Sequence, residues 1–119
     1  MNKRVYLSSP HMGGKEESFV KEAFETNWVA PLGPNVNEFE KEVTSYVGAK
    51  AGLALSSGTS AIHLALKAVG VKEGDIVFCS SLTFAASCNP IMYEKAIPVF
   101  IDSEAESYNM SPKALEKSF

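Results

Sequence analysis

The stretch GLALSSGTSAIHLALKAVGVKEGDIVFCSSLTFAASCNPIMYEKAIPVFID, from Gly52 to Asp102, decides the fold. GLALSS is a short apolar run of strand type. SAIHLALKAV is apolar on nearly every side, with Ile62, Leu66 and Val69 at helical spacing. GVKEGD is a turn, and IVFCSS is a second strand rich in Val, Ile and Phe. TFAASCNPIMYEK reads as a helix in which Pro90 forces an N-terminal start or a kink. IPVFID is a third strand. Strand, helix, strand, helix, strand is the rhythm of a parallel sheet whose crossovers are helical, so the fold class is α/β. Continuous rather than alternating apolar strands predict burial on both faces.

Outward from this stretch the pattern is helical. Phe19, Val20, Phe24 and Trp28 space out one face of a helix over Lys15 to Asn27, with Glu16 and Glu17 in its first turn. APLGPN breaks that pattern, and a second helix carries Val36, Phe39, Val43 and Val47 on one face. Asn37 with Glu40 suggests a capping box, and Gly48 a stop. Downstream, Ser111-Pro112 predicts an N-cap and first-turn proline for a last helix.

The chain has 119 residues, 45% of them hydrophobic and 21% charged, which suits one small core. A net charge of −3 with interspersed signs offers no electrostatic footprint for nucleic acid or an anionic membrane. No apolar run approaches the about 20 residues of a membrane-spanning helix. The basic start MNKRVYLSSP has no apolar run of signal-peptide length, so the expected compartment is the cytoplasm. Cys79 and Cys88 make no disulfide framework and lie at zinc-ligand spacing from no other Cys or His, so no metal site is expected. Cys79, inside IVFCSS, reads as a small buried hydrophobe.

Chemistry concentrates at Ser56-Ser57-Gly58-Thr59-Ser60, where a strand candidate turns into a helix. The first N–H groups of a helix lack intrahelical acceptors and carry the positive end of its dipole. Hydroxyls and a glycine there make a cup for a phosphate. Ser and Thr are equally the commonest N-caps, so this turn alone has two readings. It has neither P-loop nor GxGxxG spacing, nor a GxSxG elbow. The next strand also ends in hydroxyls and delivers Phe84 to the carboxyl end of the sheet, the edge where open α/β sheets bind ligands. A phosphate cup beside an aromatic ring suits a flat phosphorylated cofactor such as pyridoxal phosphate (PLP).

In this order, NWVAPLGPNVNEFE, SSGTSAIHLAL, GVKEGDIVFCSSLTFAASCNPI and AIPVFID resemble the N-terminal third of the sugar aminotransferases of the DegT/DnrJ/EryC1/StrS family. LSSPHMGGKE with APLGPNVNEFE is most similar to its PglE-like branch, which acts on UDP-4-keto-6-deoxy-N-acetylhexosamines in bacterial glycan biosynthesis. The resemblance implies the large domain of a fold-type I PLP-dependent transferase, a mixed, mostly parallel sheet flanked by helices. Residues 1–119 would be its N-terminal segment and first half, without the rest of that domain or the C-terminal small domain. It further implies that Thr59 and Ser60 contact the cofactor phosphate, with Gly58 setting the turn, and that Phe84 stacks on the pyridine ring. Trp28 would line the sugar side, with His11 near the substrate entrance. The implied reaction moves an amino group from glutamate, through PLP, to a nucleotide-linked 4-keto-6-deoxy sugar, in a homodimer whose sites draw on both subunits.

The lysine and the pyridine-partner carboxylate that this chemistry needs lie further downstream in the family, so no catalytic residue is assigned in this chain. Lys67 is expected to be solvated or to pack, Asp102 to end a strand, and His63 to be a hydrogen-bonded core residue. By the resemblance, the first strand stands at one end of the sheet and the next two at the other. Residues 1–119 alone are therefore expected to be inactive and poorly folded. Two alternatives stay open: a PLP-binding relative of dehydratase or regulatory type, and a small α/β scaffold domain with no cofactor.

Overall fold

A computed structural model describes residues 4–6 and 8–119. Leu7, which opens LSSPHMGGKE, and residues 1–3 of the basic start lie outside the described residues. The chain divides into two compact units, Met1–Ala54 and Leu55–Phe119.

The first unit holds α1 (Glu16–Glu25) and α2 (Pro34–Val47). The Glu16 carboxylate accepts from the N–H groups of Gly13 and Gly14 just ahead of α1. Its own backbone N–H, then those of Gly13 and Gly14, hold its carboxyl below the usual range. The helix closes earlier than its apolar spacing suggests. Asn27 turns left-handed at φ 59°, and the Trp28 N–H reaches back to Ala23 O at 2.8 Å. Trp28 therefore stands beyond the helix, with its ring over Gly33. A Cβ at Gly33 would lie 2.9 Å from that ring, and φ there is +147°, so only glycine suits the position.

The Asn37 capping box does not form. Pro34 occupies the first turn of α2, where its locked φ and missing N–H cost nothing, so the helix starts three residues before Asn37. The Asn37 N–H accordingly makes an ordinary helical bond to Gly33 O at 3.0 Å. Gly48 does end α2, in the left-handed conformation at φ 70°. Glu40 instead accepts from the Ala54 N–H at 2.7 Å. That bond marks another correction: the GLALSS segment is not a strand. No strand runs beside it among the described residues, and a strand needs a neighbour's backbone to complete its ladder.

The second unit contains α3 (Gly58–Ala68), β1 (Ile76–Ser80), a 3-10 turn (Ala85–Ser87), α4 (Asn89–Tyr93), β2 (Ile97–Ile101) and α5 (Pro112–Glu116). β1 and β2 pair in parallel, Ile76 opposite Ile97 and Ser80 opposite Ile101. α3 ends in a Schellman motif, with Val71 N–H to Leu66 O at 3.0 Å and Gly70 N–H to Lys67 O at 3.1 Å. The segment TFAASCNPIMYEK is not one helix. It breaks at Cys88 into the 3-10 turn and α4, and Pro90 sits in the first turn of the latter, the start its ring favours. Ser111 caps α5 by accepting from the Ala114 N–H at 3.2 Å.

Cys79, Ile91 and Ala96 form the buried cluster, with Leu66, Val71, Val77 and Cys88 packed against it. Burial of the strands on both faces does not hold. Ile76, Ile97 and Phe100 are more than half exposed, because two strands under short helices leave their ends and edges uncovered. Neither α1, α2 nor α3 buries a single side chain. No described helix is long and apolar enough to cross a membrane.

Soluble monomers rarely expose large apolar patches, and each unit leaves many of its large apolar side chains open to water. Expressed alone, residues 1–119 should self-associate and melt without a cooperative transition, as read by sedimentation and calorimetry. A sharp calorimetric transition from a monomer would contradict this.

Candidate functional site

Ser57, in extended conformation, turns the chain into α3 and caps it. Its Oγ accepts from the Ser60 N–H at 3.2 Å and lies 3.0 Å from the Ser60 Oγ. The cap is thus a residue that the sequence assigned no role of its own, although a serine ahead of the first helical residue is the usual signal for one. With Ser60 engaged, the N–H groups of Gly58 and Thr59 carry no partner among the described residues. They are the free donors of the helix start.

Gly58 itself is not needed to set the turn. Its φ lies outside the left-handed region, and a Cβ there would meet nothing within 4 Å. What it leaves is open space over the free donors. Thr59 and Ser60 are half-buried beside it.

The second half of the predicted site follows β1. Ser81 N–H bonds to Ile101 O at 2.9 Å, carrying the chain past the carboxyl ends of both strands. The Thr83 and Ser87 hydroxyls meet at 2.8 Å across the 3-10 turn, which begins after Phe84. The Phe84 ring is 86% exposed, so a face is free for stacking. α3 packs on this turn. Ile62 of α3 and Ser87 of the turn line one hollow of about 270 Å³, floored by Val77, Cys79 and Ile91. The helix that opens with Gly58, Thr59 and Ser60 and the turn that follows Phe84 are neighbours. Trp28 and His11 belong to the other unit; Trp28 is 51% exposed, and His11 is exposed.

Three residues differ from their expected roles or had none. Glu94 on α4's C-terminal side is 12% exposed, and its carboxylate meets His63 Nε2 at 2.5 Å and Lys67 Nζ at 3.0 and 3.1 Å. Lys67 is therefore ion-paired rather than merely solvated. His63 is hydrogen-bonded as expected, but it is not a core residue, because its side chain is 36% exposed. Its ring meets that of Tyr93 edge-on at 5.5 Å. The Lys67 hydrogen bond, then that of His63, holds the Glu94 carboxyl below its ordinary range. No local pattern signals a pairing across 27 and 31 residues.

Cys79 is 5% exposed, and burial, with a smaller effect of Cys88, pushes its thiol up, away from a reactive thiolate. Asp102 directly follows β2 and accepts from the Ser103 N–H at 2.8 Å, a strand-end contact.

Residues 10–118 match the DegT/DnrJ/EryC1/StrS aminotransferase family. A Bacillus subtilis protein named as the pyridoxal phosphate-dependent aminotransferase EpsN is 60% identical over 118 residues, 99% of this chain and 30% of that protein. GDP-perosamine synthase of Caulobacter vibrioides is 38% identical over 113 residues, 95% of this chain and 30% of its own length. The chain thus spans about 30% of the curated relatives it matches. Among solved structures, the PMP form of Spr1654 from Streptococcus pneumoniae, named as a sugar aminotransferase, superposes with a TM-score of 0.86 at 28% identity. That match covers 98% of this chain and 29% of Spr1654. The same protein is also known in a PLP form.

Because the Glu94 carboxyl is depressed in the folded state, its stabilising effect is complete above the ordinary carboxylate range and fades as pH falls through the folded value. Melting temperatures of the full-length protein and its Glu94→Gln variant should differ at neutral pH and converge on acidification. Parallel curves down to the acid limit would contradict this.

Proposed function

Because the chain belongs to the DegT/DnrJ/EryC1/StrS aminotransferase family, we propose that it is the N-terminal segment and first half of the PLP-binding large domain of a sugar aminotransferase. The full-length protein, acting as a homodimer, moves an amino group from glutamate to a nucleotide-linked 4-keto-6-deoxy sugar in surface glycan biosynthesis. The observation that carries this proposal is the open helix start at Gly58–Ser60, on the helix that packs on the turn following Phe84.

The residues present fit the phosphate end of that cofactor. A phosphate needs donors, an approach free of side chains and a favourable dipole. The N–H groups of Gly58 and Thr59, the absent Cβ at Gly58 and the start of α3 supply these in turn. The hydroxyl of Thr59 adds a further donor, and that of Ser60 stands beside it, 3.0 Å from the Ser57 Oγ. Phe84 would hold the ring by stacking, which orients it without fixing its charge. Trp28 and His11 are assigned to the sugar side. When bound, the cofactor supplies an electron sink, and this part of the chain supplies its seat. The lysine and the carboxylate that act on it are assigned to the remainder of the protein.

The full-length protein should take up PLP with a visible absorbance band and convert UDP- or GDP-linked 4-keto-6-deoxy sugar to amino sugar with glutamate, followed by mass spectrometry. Thr59→Ala should weaken PLP about tenfold or more, the loss of one hydrogen bond to a charged group. Phe84→Ala should weaken it only several-fold, as suits a lost stacking contact. A full-length protein without the band would favour the scaffold alternative. A band with deoxygenated rather than aminated sugar would favour the dehydratase type.

A further inference from the structure

We infer that Glu94 is a positioning residue for the phosphate seat, anchoring α3 through His63 and Lys67 so that the start of that helix keeps one orientation relative to the turn on which the helix packs. The inference rests on the proposed role of Gly58–Ser60 as that seat.

The geometry is specific. His63 and Lys67 stand four residues apart, on one face of α3. Both reach the same carboxylate, which sits 12% exposed at the end of α4. His63 is only three residues from Ser60, a rise of about 4.5 Å along the helix. The anchor is therefore within one turn of the seat.

What else holds α3 is weak in direction. None of its side chains is buried, and its apolar grip comes from half-buried Ile62 and Leu66 over the Cys79–Ile91 cluster. Apolar contact is non-directional and tolerates sliding or rotation about the helix axis. Hydrogen bonds from two points on one face to one fixed acceptor do not. Tyr93, edge-on to the His63 ring, limits the ring from the side. Glu94 thus sets the rotation of α3, and with it the direction in which the Gly58 and Thr59 N–H groups point.

The test compares PLP with pyridoxal, which lacks the phosphate, by spectroscopic titration of the cofactor-free full-length protein. Wild type should strongly prefer PLP. Glu94→Ala should cut that preference about tenfold, the scale of a misaligned charge-assisted hydrogen bond, while leaving pyridoxal affinity nearly unchanged. Glu94→Gln retains an oxygen that both donors can reach and should restore most of the preference. A residue that merely stabilised the fold would lower the melting temperature and leave the ratio of affinities alone, so an unchanged ratio in Glu94→Ala overturns the inference. Should that variant fail to fold, the His63→Gln, Lys67→Met double variant carries the same expectation and the same refutation. A wild type that binds both compounds equally would instead refute the phosphate seat itself, and this inference with it.

Discussion

Parallel pairing of β1 with β2 is the constraint on which the second unit depends. Parallel strands cannot be joined by a tight turn, so the chain between Ser80 and Ile97 must cross back over the sheet. That crossing delivers Phe84 at the carboxyl end of β1, then Cys88 and Ile91 onto the Cys79 cluster, and finally Glu94 to the flank of α3. Each of these residues owes its place to the same return path. The carboxyl end of the sheet collects the hydroxyls and the exposed ring, while the crossover supplies the helical cover.

Apolar burial and polar anchoring divide the work unequally. Few side chains are fully buried, and the long helices bury none. In such a chain the directional bonds matter more than usual. Ser57 closes the start of α3, the Schellman turn at Gly70 closes its end, and Glu94 binds its flank. The wide exposure of Phe19, Phe39, Ile76 and Phe100 agrees with a chain that matches under a third of its relatives' length.

Much of this was legible locally. Helix faces at 3–4 spacing, the Gly48 stop, the Ser111-Pro112 start and the two runs of Val, Ile and Phe each carry their own signal within a few residues. The misreadings came where two local signals competed. Pro34 outbid Asn37 for the start of α2, since a proline favours the first turn whatever lies three residues on. Asn27 ended α1 before Trp28 although the apolar period ran on. GLALSS has the composition of a strand, but composition provides no neighbouring backbone to bond with.

The sequence by itself determined the α/β class, the family, and the hydroxyl-rich helix start at Gly58–Ser60 with an aromatic after the next strand. Those features depend on short-range spacing and on chain order, which are written in the residues directly. Only the tertiary structure decided that Ser57 is the cap, that Gly58 leaves space rather than making a turn, and that α3 lies against the turn following Phe84. It alone turned Lys67, expected to be solvated or to pack, and His63, expected in the core, into two arms of one anchor on Glu94. The physical reason is range: a hydrogen bond across about thirty residues forms because a strand crossover brings its partners together, and no local pattern encodes that meeting.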